Sequence, residues 1–255
     1  MSQAAAGGGD RARRTGPRDL SVEVTLRYRI MWALNWHLIR LLFDLRVEAP
    51  TRMPIPPFQL VVNHHNGFDP MLVIAATSLE PRVTWFGPRE TDFSRGFRNR
   101  LMTYLGGVIP YNPEKTTLTS AVRAVRRVFS AGGVLGIFAE GRIGFRENGL
   151  LPLEEGAAAF ALASGVPIVP CAIVGSTTLW FRKRLVVRFG DPISTTGLRG
   201  HQGRETLDAQ MRAALLALLP ESEPRLPRRR PLAFLTDLLN GAEDVARRAS
   251  SDDPR

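Results

Sequence analysis

The sequence predicts a mixed α/β fold, a mostly parallel sheet covered by helices, preceded by an amphipathic helix suited to a membrane surface. Three observations predict it. Short apolar runs recur at Phe58 to Val62, Val83 to Phe86, Val108 to Ile109, Val134 to Phe138, Ile168 to Val174 and Leu185 to Phe189, as buried strands do. Helical stretches alternate with these runs, which is how parallel strands are connected. The 255 residues suffice for one α/β domain with a full core and fall short of two ordinary ones.

In chain order, residues 1 to 20 read as a basic tail with Arg11, Arg13, Arg14 and Arg18 and no apolar h-region of a secretory signal. From Val24 to Leu45, apolar and aromatic residues including Trp32, Trp36 and Phe43 alternate with Arg27, Arg29, Arg40 and Asp44. This reads as one long amphipathic helix within a membrane-associating segment, residues 21–48. No stretch reaches the roughly 18 uncharged apolar residues of a spanning helix. A helix lying in a membrane surface and a helix packed on the core both fit.

The α/β domain is expected over residues 49–220. After the first strand, Asn63-His64-His65-Asn66-Gly67-Phe68 forms a polar loop, and Asp69-Pro70 opens a helix through Ala76, with Asp69 as N-cap. Helices are further expected from Phe93 to Leu105, from Thr116 or Thr117 to Ser130, from about Glu154 to Ser164 and from about Glu205 to Leu219. Residues 221–255 read as a basic, poorly ordered extension with Arg228-Arg229-Arg230 and a short apolar helix from Pro231 to Leu239.

Two loops carry the candidate chemistry. His64 and Asp69 stand five apart after an apolar strand, where α/β folds build their sites, and a carboxylate beside a His fixes its tautomer and supports an imidazolium. Asp69 also reads simply as a helix cap. His65 competes with His64 on spacing alone, and a metal held by both is a weaker third reading. The second loop is Ala139-Glu140-Gly141-Arg142, again after a strand. Gly141 permits a tight turn, Arg142 offers a planar fork for phosphate, and Glu140 is placed to orient that Arg or bond a hydroxyl, unless the two are an ordinary surface pair.

Together these loops resemble the glycerolipid acyltransferase family, whose best-known members are the lysophosphatidate acyltransferases of phospholipid synthesis. The match runs through Asn63-His64-x-x-x-x-Asp69, Phe138-Ala139-Glu140-Gly141-Arg142 and Val166-Pro167-Ile168-Val169-Pro170, in order, over roughly residues 55 to 195. The resemblance implies that His64 is the base and Asp69 orients it. It further implies direct transfer of a fatty acyl group from acyl-coenzyme A or acyl-carrier protein to a lysolipid hydroxyl, with no cofactor beyond that co-substrate and no metal. Asn63, Arg89, Glu140, Gly141 and Arg142 are the expected substrate-binding residues. Two departures stand out. Where the family carries an Arg in its second block, Gly107-Val108-Ile109-Pro110-Tyr111-Asn112-Pro113 has Asn or Pro, with Lys115 shifted, and the third block has Ala139 for Pro and lacks the usual Thr. The first departure leaves another lysolipid or a glycolipid open as acceptor.

The net charge of +10, from 34 Lys and Arg against 24 Asp and Glu, suits anionic headgroups. With Cys171 as the single cysteine and no disulfide framework, the expected place is the cytoplasmic face of the cell membrane, as a peripheral protein. A basic chain also invites nucleic acid as a partner, but no helix-turn-helix, RNA-binding aromatic signature or zinc pattern accompanies the charge. No Gly-x-Ser-x-Gly elbow or phosphate-binding Gly-Lys-Ser/Thr loop is present.

Overall fold

The structure, a computed structural model, describes residues 23–50, 53–87, 107–109 and 118–240. The expected helix from Phe93 to Leu105, together with Arg89, Lys115 and the Thr116 or Thr117 cap, lies outside them. The described elements are α1 (Leu26–Leu42), β1 (Asp44–Glu48), β2 (Phe58–Val62), α2 (Asp69–Ala76), β3 (Val83–Phe86), β4 (Val108–Ile109), α3 (Leu118–Ser130), β5 (Val134–Phe138), α4 (Gly156–Ser164), β6 (Ile168–Val174), β7 (Arg184–Phe189), α5 (Gly200–Leu218) and α6 (Leu235–Leu239).

Seven strands form one sheet in the order β1-β7-β6-β2-β5-β3-β4. β2 pairs in parallel with both β5 and β6, β5 with β3, and β3 with β4. β7 runs antiparallel to β6, and β1 is parallel to β7, so this edge is reversed. All five residues of β2, Phe-Gln-Leu-Val-Val, are buried because both sheet faces are covered. Phe58, Leu60 and Val62 face one core with α1, α2 and α6 residues such as Ile39, Leu72 and Leu235. Val61 faces the other with Val125 and Val128 of α3, Phe160 of α4 and Leu207 and Met211 of α5. Gln59 also points to that second side, and its amide donates to Ala157 O at 2.8 Å.

The site's location follows from this layering. After β2 the chain turns into α2 on one face, and after the adjacent β5 it turns into α4 on the other. Parallel neighbours whose connections leave in opposite directions open a crevice at their C-terminal ends.

The N-terminal helix departs from expectation. It stops at Leu42 rather than running on to Leu45, because Phe43 is buried with extended backbone (φ −133, ψ 156) and Asp44 N donates to Lys183 O, which starts β1. Residues 44–48 therefore belong to the sheet. One face of α1 packs on the core. Tyr28, Asn35 and Ile39 are buried against the domain, with Asn35 Nδ2 donating to Met71 O at 2.9 Å, while Leu26, Ile30, Leu34, Leu38 and Leu41 form an exposed stripe. The tryptophans stand away from that stripe: Trp32 packs on the core and Trp36 lies under the Arg40 guanidinium at 3.9 Å. No described helix is long and apolar enough to cross a membrane.

Candidate active site

β2 delivers the first loop and Asp69 organises it. Its Oδ2 accepts from His65 N at 2.7 Å, Asn66 N at 2.8 Å and His64 Nδ1 at 3.0 Å. Asp69 is the first residue of α2 rather than its cap, and the carboxylate faces back into the preceding loop. The cap reading is thus corrected: these bonds hold the loop, not the helix's own first turn. Asp69 is fully buried, and its Oδ1 has no partner among the described residues.

The same geometry separates the two histidines. The His64 side chain retains 17% exposure, and with Nδ1 on Asp69 its Nε2 is unbonded among the described residues. His65 is completely buried, with Nδ1 3.6 Å from Glu147 Oε2, so each ring serves a different carboxylate. Glu147 is itself buried and accepts from Gly175 N, Thr177 N and the Thr177 hydroxyl. It ties the chain after the second loop to the end of β6. Nothing in the sequence motifs marks Glu147.

Every amide of the loop is already used. His64 N donates to Glu140 Oε1 at 2.8 Å, His65 N and Asn66 N to Asp69, Gly67 N to Asn240 Oδ1 at 2.9 Å, and Phe68 N to Asn66 Oδ1 at 3.0 Å. The loop is therefore rigidly held, and its amides do not form an oxyanion hole. Asn63, expected at the substrate, is instead buried, accepting from Ile173 N at 2.7 Å and donating to Ile173 O at 3.0 Å. It extends the β2–β6 pairing by one side chain and so fixes where His64 begins.

β5 supplies the second loop. Glu140 is buried and bridges two backbones, accepting His64 N on Oε1 and Leu151 N on Oε2 at 2.7 Å. Burial pushes its carboxyl up from the ordinary range, and the amides of Leu151 and His64 pull the other way. Glu140 thus positions His64 and is not turned toward Arg142. Gly141 has φ +64, and a Cβ there would stand 2.8 Å from Glu154 Cγ, so the turn requires glycine. Arg142 is exposed and makes no hydrogen bond or ion pair among the described residues. Gly144 N donates to His64 O at 2.7 Å, which brings the two loops into direct contact. Of the expected residues, His64, Asp69, Glu140 and Gly141 meet here with Arg142 beside them; Arg89 falls outside the described residues.

A stack of three rings backs His64. Its imidazole lies on Phe138 with centroids 4.0 Å apart and planes at 18°, and Phe138 lies on Trp85 at 4.7 Å and 10°. Gly136 makes room for it: a Cβ at that position would come within 2.8 Å of the Trp85 ring. The imidazole is held on two sides, by a carboxylate at its edge and a phenyl ring on its face. An imidazole fixed this way, with one nitrogen open, is built to take a proton from a hydroxyl.

Among solved structures, seven chains match this fold. One is the 1-acyl-sn-glycerophosphate (LPA) acyltransferase PlsC of Thermotoga maritima, which superposes with a TM-score of 0.59 at 16% identity, covering 75% of this chain and 79% of that one. A search of curated proteins found no matching sequence. The acyltransferase family model matches residues 44–174, from the first residue of β1 to the last of β6, and includes both loops. With more than half of its length matched by that model, the chain belongs to the acyltransferase family.

Proposed function

We propose that this acyltransferase moves a fatty acyl group from a thioester, acyl-coenzyme A or acyl-carrier protein, to the hydroxyl of a lysophospholipid, with 1-acylglycerol-3-phosphate as the acceptor. The observation that carries this reading is the His64 imidazole, bonded through Nδ1 to Asp69 Oδ2 at 3.0 Å, with Nε2 unbonded among the described residues. Nε2 takes the acceptor's hydroxyl proton as the oxygen attacks the thioester carbonyl. Asp69 stabilises the resulting imidazolium. Collapse of the tetrahedral adduct breaks the carbon–sulfur bond, and the imidazolium returns its proton to the leaving thiolate, so the enzyme is regenerated without an acyl intermediate. Since the amides of residues 64–68 are engaged, stabilisation of the oxyanion falls to groups outside that loop. Arg142, exposed and without a partner among the described residues, suits the acceptor phosphate.

The exposed stripe of α1, from Leu26 to Leu41, together with the net charge of +10, supports peripheral attachment to anionic lipid at the cytoplasmic face of the cell membrane. A different lysolipid or a glycolipid as acceptor is the second reading, favoured by Asn112 and Pro113 where the family carries its Arg. An acceptor panel with radiolabelled acyl donor decides between them. Lysophosphatidate is expected to be acylated preferentially, with Arg142→Ala raising its KM by about tenfold or more, the loss of a charge-assisted hydrogen bond. Preferential acylation of an acceptor lacking a phosphate monoester would overturn the first reading in favour of the second.

A further inference from the structure

The loop between His64 and Asp69 is held from within by Asp69, but one of its amides points elsewhere. Gly67 N donates to Asn240 Oδ1 at 2.9 Å, across 173 positions of sequence. Asn240 lies beyond the stretch matched by the family model, which ends at residue 174, and follows directly on α6. That short helix is fastened to the domain independently of Asn240. Thr236 Oγ1 accepts from Leu179 N at 2.7 Å and donates to Leu179 O at 3.1 Å, Pro231 O accepts from Phe181 N at 2.8 Å, and Leu235 is buried in the core that includes Phe43 and Phe68. The anchor is thus fixed before it reaches the loop. Asn240 itself is 9% exposed, so water competes little for the bond.

We propose that Asn240 is a positioning residue for the transfer reaction, and that the segment Pro231 to Asn240 is a strap holding the His64–Asp69 loop from outside. Gly67 sits between the two reacting residues in sequence and has no side chain to anchor it. The hydrogen bond from its N–H to Asn240 Oδ1 fixes the middle of the loop, while Asp69 Oδ2 fixes the start and Asn66 O, accepting Asp69 N at 2.9 Å, closes the end. The consequence for chemistry is indirect. A shift of the loop by a fraction of an ångström turns the imidazole away from the acceptor hydroxyl, and misplacement on that scale lowers turnover steeply.

The inference rests on His64 as the reacting base, and its test keeps the two separable. Asn240→Ala, Asn240→Asp and His64→Ala full-length proteins are compared with wild type in steady-state acyl transfer and in thermal melts. Asn240→Ala is expected to melt near wild type and to lose about ten- to a hundredfold in kcat, with KM for the acyl donor within about twofold. Asn240→Asp keeps an acceptor oxygen in the same place and is expected to recover most of that loss. Wild-type kcat in Asn240→Ala, an Asn240→Asp protein as slow as the alanine one, or a melt so lowered that Asn240→Ala is unfolded each overturns the proposal, the last by making the strap an ordinary part of the core. If His64→Ala also retains full activity, the proposed reacting pair fails instead, and with it the premise of the strap.

Discussion

Replacing Gly136 with alanine tests whether the ring stack behind His64 matters to catalysis. The new Cβ would stand 2.8, 2.9 and 3.0 Å from Cε3, Cζ3 and Cδ2 of Trp85. Carbon atoms rest at about 3.5–4.0 Å, so the indole must retreat by roughly half an ångström to one ångström. Trp85 is nearly completely buried and lies flat on Phe138, which lies flat on His64, so the displacement has little space to dissipate before reaching the imidazole. Overpacking of this kind costs about 1–3 kcal/mol. For a domain of this size that lowers the melting temperature by about 2–12 °C. A tilted His64 is also expected to lower kcat by about tenfold or more. Calorimetry and steady-state transfer read the two effects, and a Gly136→Ala, Trp85→Leu double variant is expected to recover part of both because the overlapping ring is gone. An alanine variant that melts and turns over like wild type would show that the ring stack does not hold His64.

Glu140→Gln places an NH2 group against one of the two amides, His64 N or Leu151 N, that the carboxylate accepts, and is expected to cost about 1–3 kcal/mol in a denaturant melt and to lower kcat. Because burial raises the Glu140 carboxyl, the folded chain holds that proton more tightly than the unfolded one. Its contribution to stability is therefore greatest below the ordinary glutamate range and declines as pH rises through the raised value, a slope that Glu140→Gln should flatten in melts taken from about pH 4 upward. Changing Ile30, Leu34 and Leu38 together to Ser is expected to weaken co-sedimentation with anionic vesicles by about tenfold or more while leaving the melt unchanged, since all three are exposed. Deleting the whole helix is a poorer test, because Tyr28, Asn35 and Ile39 on its other face belong to the fold.

The parts of the fold legible in sequence were those whose signal is local. The central strands, buried on both faces, stand out as apolar runs, and β2 and β5 place their loops side by side because they are neighbours in the sheet. β1 was hidden because Asp-Leu-Arg-Val-Glu is an edge strand with a largely exposed pattern, and its partner β7 lies about 140 residues away. Its residues read as the tail of a helix. Spacing could not separate His64 from His65, since both reach Asp69, one by its ring and the other by its amide. Burial separates them. The supporting groups around the site, Trp85 behind Phe138, Glu147 under His65 and Asn240 on Gly67, carry no motif at all; each acts across tens of residues through a contact that only folding creates. Gly136 interrupts the apolar run of β5 without a side chain, and its reason, the Trp85 ring against it, exists only in the fold. For α1 the sequence fits both a membrane surface and the core, and folding shows which residues pack inward, Tyr28, Asn35 and Ile39, and which stay exposed, the stripe from Leu26 to Leu41.

In the proposed reaction the ring of His64, held by Asp69, removes the acceptor's proton. Its most direct test is kcat for acyl transfer by His64→Ala, measured on protein whose melt matches wild type. The expected loss is about 10²–10⁴-fold, the usual contribution of a positioned general base. Transfer at the wild-type rate by that variant would contradict it.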